Sequence, residues 1–112
     1  MSKRNDDLLI EDIISSCNKI LNYTENISEE AFKSDDKTID AVIRNFEIIG
    51  EASNKLSESF KEENPKIDWF KMTGLRNRLI HDYMGIDLSI IWSVIQHYLK
   101  SLKKELEDIN GR

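Results

Sequence analysis

The sequence predicts an all-α, up-down four-helix bundle with one short extra helix. Three observations carry this: apolar residues recur at steps of three and four, no stretch alternates at period two, and capping residues leave only short connections. With 39% hydrophobic and 33% charged residues the balance is that of a globular chain, and 112 residues suit a single domain over 1–112. A helical domain of this size buries only about two-thirds of its unfolded surface, so burying a further face in a homodimer is expected to add stability.

The first helix is expected from about Asp6 to Tyr23, with Leu9, Ile13, Cys17, Ile20 and Leu21 on one stripe. Asn26-Ile27-Ser28-Glu29-Glu30 reads as a break and a new start, Ser28 capping a short turn through Phe32 whose positive end meets two acids. A long helix begins near Asp35 or Asp36 and carries Ile39, Val42, Ile43, Phe46, Ile49, Ser53, Leu56 and Phe60 on one face until Asn64-Pro65 stops it. Asp68 caps a segment holding Trp69, Phe70, Met72, Leu75, Leu79 and Ile80, which ends around Tyr83 to Gly85, where glycine permits a helix stop. Asp87 caps the final helix, whose Leu88, Ile91, Trp92, Ile95, Tyr98, Leu99, Leu102 and Leu106 keep helical spacing to near Asp108. Trp69 and Trp92 continue apolar patterns and read as core or interface anchors. Arg44, Glu47, Glu51 and Lys55 read as intrahelical ion pairs worth ~0.2–0.5 kcal/mol each.

Several classes are excluded. The single Cys17 cannot form an internal disulfide and, on an apolar stripe, reads as a buried thiol of a cytoplasmic protein. The N-terminal residues run into acids without an export-type apolar region, and no apolar run approaches the roughly 20 residues of a membrane span. A net charge of −5 argues against nonspecific coating of nucleic acid. Locally, however, Lys66, Lys71, Arg76 and Arg78 face only Asp68 before His81, a confined positive patch suited to a phosphate and also common on ordinary solvated helices. There is no Gly-rich phosphate loop, nucleophile elbow or cysteine cluster, and His81 with Asp82 and Asp87 would make a poor metal site, so neither cofactor nor metal is expected.

Chemistry concentrates in Arg76-Asn77-Arg78-Leu79-Ile80-His81-Asp82-Tyr83. Arginine offers a permanently charged fork for phosphate, and histidine can take and give a proton near neutrality, a combination that fits phosphodiester chemistry without a metal. Taken alone, the same residues also fit a solvated helix end, with His81 favourable to the dipole. On an ideal helix Arg76 and His81 lie about 140° apart, whereas Asn77 and His81 stack on one face, and so roughly do Arg78 and His81. Arg76 can meet His81 through its long side chain, through distortion at the helix end, or across a two-fold axis.

The segment resembles the Arg-x4-His-x-Tyr motif of HEPN ribonucleases, in the branch of HepT toxins paired with minimal nucleotidyltransferase antitoxins of the MntA type. Ala41 to Ala52, Pro65-Lys66-Ile67-Asp68-Trp69, Gly74-Leu75, and Asp87-Leu88 with Trp92 also match, so the similarity covers roughly Ile39 to Leu106. The resemblance implies a HEPN-like bundle acting as a homodimeric, metal-independent endoribonuclease with its cleft between protomers. Arg76 and His81 carry over as the catalytic pair, Asn77 as their polar neighbour, and Tyr83 as the residue the partner nucleotidyltransferase adenylylates to silence the toxin. With RNA as substrate, one histidine per protomer would serve as base for the 2′-hydroxyl and acid for the departing 5′-oxygen. Arg76 and Arg78 would neutralise charge on the phosphorane oxygens. Two alternatives remain open: a non-catalytic helical module that docks a nucleotidyltransferase and presents Tyr83, and a bundle that binds nucleotides through Arg76 and Arg78 without cleaving them.

Overall fold

Helical spacing becomes helix throughout the computed structural model, which describes residues 3–81 and 85–109, with side chains over 5–80 and 85–109. Among these residues there are seven helices and no strand, as the all-α expectation requires. Helix α1 (Lys3–Tyr23) buries Ile10, Ile13, Ile14, Cys17 and Ile20. It ends where the Thr24 amide and hydroxyl both donate to the Ile20 carbonyl, at 3.1 and 2.8 Å, and Asn26 adopts φ 61°, a left-handed conformation that asparagine tolerates. Helix α2 (Glu29–Lys33) starts at Ser28, whose hydroxyl accepts from the Ala31 amide, and packs Phe32 on Trp92 with ring centroids 5.4 Å apart. Asp35 caps α3 (Asp36–Lys55) by accepting from the Thr38 hydroxyl and amide at 2.7 and 3.2 Å, bonds that hold its carboxyl below the usual range.

The long helix expected to reach Asn64 is broken. Leu56 turns to an extended conformation, and a separate helix α4 (Glu58–Glu63) starts at Ser57. The cause lies on α1: the buried Asp6 carboxylate accepts from the Ser57 amide at 3.0 Å and its hydroxyl at 2.6 Å, while the same hydroxyl accepts from the Phe60 amide. A carboxylate bonded to an N-cap residue outweighs the few tenths of a kcal/mol by which one more helical residue is favoured. Phe60 then meets Trp69 edge-on at 6.0 Å. The ion pairs expected along Arg44, Glu47, Glu51 and Lys55 are not among the bridges found in the described residues, which join Lys33 to Glu29 at 2.9 Å and Lys61 to Glu58 at 4.0 Å.

Helix α5 (Trp69–His81) is capped by Asp68, which accepts from the Lys71 amide at 2.9 Å, and Trp69 Nε1 donates to the Asn64 carbonyl. Asp87 caps α6 (Leu88–His97) through the Ser89 amide at 2.8 Å. The final helix also divides, at Tyr98 (φ −128°, ψ −39°), into α6 and α7 (Leu99–Ile109). No proline or glycine stands there. Tyr98 lies instead under the Lys71 ammonium, 4.6 Å from its ring centre, and the break lets Leu99, Leu102 and Leu106 bury themselves as α7 packs on α1. Helix α3 thus sits between α1 and α5, with α7 closing on α1.

Candidate active site

Helix α5 presents two faces of opposite character. Met72 and Leu79, each 2% exposed, turn with half-buried Leu75 toward the core. Phe70, which the sequence grouped with the apolar residues of this segment, is 92% exposed because it stands on the other side of the helix. At about 100° per residue, Phe70, Gly74, Asn77 and His81 fall on one narrow face opposite the core stripe. Gly74 has open space where a side chain would stand, and Asn77 is exposed, so no described residue covers this face there.

Arg76 belongs to neither face. Its register puts it at the edge of the core stripe, one turn from Met72, where α5 crosses α3 at the buried Gly50. A Cβ on Gly50 would lie 2.8 Å from Arg76 Cγ, 2.9 Å from the Met72 carbonyl oxygen and closer still to Arg76 Cβ. The arginine stem therefore lies directly on the α3 backbone. Its Nε is buried and meets no hydrogen-bond acceptor among the described residues, while Nη1 reaches back around α5 and donates to Asn77 Oδ1 at 3.2 Å. Through its long side chain Arg76 thus reaches Asn77, a residue on the same face of α5 as position 81.

The other expected residues divide. Arg78 is exposed on the opposite flank, beside Leu75, Ile86, Asp87 and Ile90. The backbone of His81 closes the described part of α5, whereas its side chain and all of Asp82 and Tyr83 lie outside the described residues. The four cations do not gather into one patch: Lys71 is turned to Tyr98, Arg76 to α3, Arg78 toward the start of α6, and Lys66 lines an open depression of about 700 Å³ together with Lys61, Trp69 and Phe70. Acids Glu58, Glu62 and Asp68 also line it, so it is no cationic funnel. Burial pushes the Cys17 thiol up to about 12, which leaves it protonated and inert as a nucleophile. Among the described residues no three His, Cys, Asp or Glu side chains gather to hold a metal ion, and no helix is long and apolar enough to cross a membrane.

Gly50 escaped the sequence reading as anything but part of a matching stretch. Its signal was there: a lone glycine inside a helical pattern costs roughly 1 kcal/mol against alanine and marks a close backbone approach.

Comparison with known proteins gives the same grouping as the motif. The chain is 40% identical over 107 residues to a Methanocaldococcus jannaschii protein provisionally named an RNase, covering 96% of this chain and 98% of that one. It is 39% identical over 107 residues to a Thermococcus cleftensis protein named probable ribonuclease HepT, covering 96% and 97%. Over 41 residues it is 39% identical to the mRNA nuclease HepT of Shewanella oneidensis, 37% of this chain and 31% of the other. No solved structure matches the chain at comparable significance. The family described as ribonuclease HepT-like matches residues 13–109, almost the whole helical body, and the chain belongs to that HEPN family.

Proposed function

We propose that this protein is a metal-independent endoribonuclease, the toxin of a toxin–antitoxin pair, acting in the cytoplasm as a homodimer with Arg76 and His81 at the dimer cleft. The observation that carries the reading is the placement of Arg76: its guanidinium is drawn by Asn77 toward the uncovered side of α5, the side whose next turn is His81. A second copy laid against the face of Phe70, Gly74 and Asn77 would cover Phe70, the most exposed aromatic among the described residues, and bring two copies of the pair together. In that cleft one imidazole deprotonates the 2′-hydroxyl, the other protonates the 5′-oxygen, and Arg76, aided by Arg78, stabilises the phosphorane. The products are a 2′,3′-cyclic phosphate and a 5′-hydroxyl, and DNA, without the nucleophile, is spared. Adenylylation of Tyr83 by a nucleotidyltransferase antitoxin would add negative charge and bulk two residues from His81, where the RNA phosphate must enter.

Purified protein incubated with RNA in EDTA, with end-group analysis of the fragments, tests this. Acid–base catalysis contributes ~10²–10⁴-fold, so His81→Ala should lose most cleavage, and Arg76→Lys should be impaired although its charge is kept. Cleavage retained in both variants removes the mechanism. Tyr83→Phe should still cut RNA but escape adenylylation; a chain that never cuts RNA yet accepts AMP at Tyr83 is the non-catalytic docking module instead.

A further inference from the structure

Where α3 crosses α5, the missing side chain of Gly50 and the buried Nε of Arg76 are two sides of one arrangement. An arginine can grip a phosphate by either of two edges of its guanidinium, the side edge formed by Nε with one Nη or the end edge formed by the two Nη atoms. With Nε buried, the side edge is closed to a ligand. Nη1 donates one of its two N–H groups to Asn77 Oδ1, so the second N–H of Nη1 and those of Nη2, the end edge, are left for a substrate.

We propose that Gly50 is a positioning residue for Arg76: by omitting a side chain at the crossing, it seats the arginine stem on α3 and commits the guanidinium to its Nη edge. The proposal rests on the nuclease reading, and deepens it by naming the residue that aims the arginine and the edge that meets the phosphate. A methyl group at this position cannot be absorbed by a flexible side-chain tip, because two of the three nearest atoms are the root of Arg76 and the third is the backbone carbonyl of Met72. Accommodation must move the arginine root or separate the helices, and either displaces the guanidinium.

The test compares single-turnover RNA cleavage by the full-length protein, Gly50→Ala and Leu106→Ala. The last removes a buried α7 side chain remote from the crossing and serves as a control for lost stability alone. Displacing a catalytic group by about 1 Å can cost ~100-fold. Gly50→Ala should therefore lose about that factor in the cleavage step at saturating RNA, with RNA affinity unchanged, while folded Leu106→Ala cleaves at the wild-type rate. A folded Gly50→Ala that cleaves like wild type, or a loss matched by the control, overturns the proposal. A measurement on the unaltered protein covers the case of a variant that does not fold: hydrogen exchange at Nε of Arg76, read by NMR, should be much slower than at Nε of exposed Arg78. Equal exchange at the two overturns the seat. If the wild-type protein cleaves no RNA, the nuclease reading fails by itself, and the exchange measurement still decides whether Gly50 seats Arg76.

Discussion

Arg76 Nη1 donates to Asn77 Oδ1 at 3.2 Å, and that contact joins two sides of one helix. The root of Arg76 lies on the core side of α5 against Gly50, while Asn77 stands on the face that His81 shares one turn later. A helix alone keeps these positions well apart in angle; a five-atom stem and one neighbouring amide close the gap.

Asn77→Ala should weaken cleavage by about tenfold without unfolding the protein. The bond is to a charged donor but exposed, so a contribution of about 1.4 kcal/mol is a fair magnitude, one decade in rate. Cleavage kinetics beside a circular dichroism melt check this, and an unchanged rate would show that Asn77 does not hold Arg76 in the working complex.

Arg76→Met should make the protein more stable while abolishing cleavage. Methionine keeps an unbranched stem over Gly50 and removes a buried donor that has no partner among the described residues, a defect worth about 1–3 kcal/mol. Since 1 kcal/mol moves the midpoint of a domain this size by about 4–8 °C, the rise is readable in a thermal scan. A lowered midpoint would mean that Nε is satisfied in solution.

Asp6→Ala should destabilise the fold by about 3 kcal/mol, measured as a lower urea midpoint. Two hydrogen bonds from Ser57 to a buried carboxylate would be lost, and with them the hold on the residue that caps α4. A change below about 0.5 kcal/mol, the size expected of an ordinary surface substitution, would refute this account of the break at Leu56.

Stability should fall at alkaline pH. Burial raises the Cys17 thiol from 9.0 to about 12 and the Tyr98 hydroxyl from 10.0 to about 12, the latter with Asp68 and Glu105 adding to the effect. The unfolded chain therefore releases these protons first, so their contribution is complete below about pH 9 and is lost as pH climbs toward 12. Unfolding free energies across that window should decline less steeply in Cys17→Ala. Thiol reagents at pH 8 should label Cys17 only after unfolding, and rapid labelling of the native protein would contradict its burial.

Much of this molecule is written locally. Ser28, Asp35, Asp68 and Asp87 cap the helices that their positions announce, and the buried stripes of α1, α3 and α7 follow the apolar spacing. The motif around Arg76 was legible for the same reason: side-chain chemistry and spacing are properties of a short segment. Contacts between distant segments decided the rest. Ser57 breaks the long helix because Asp6, 51 residues earlier, offers a buried carboxylate, and Tyr98 divides the last one in contact with Lys71. Periodicity sets Phe70 opposite the core stripe of α5 and Arg76 at its edge, but that the border residue Arg76 turns inward to lie on Gly50 is shown only by the packed helices. Which way a border residue turns depends on what the neighbouring helix leaves vacant, and that vacancy exists only once α3 and α5 have packed.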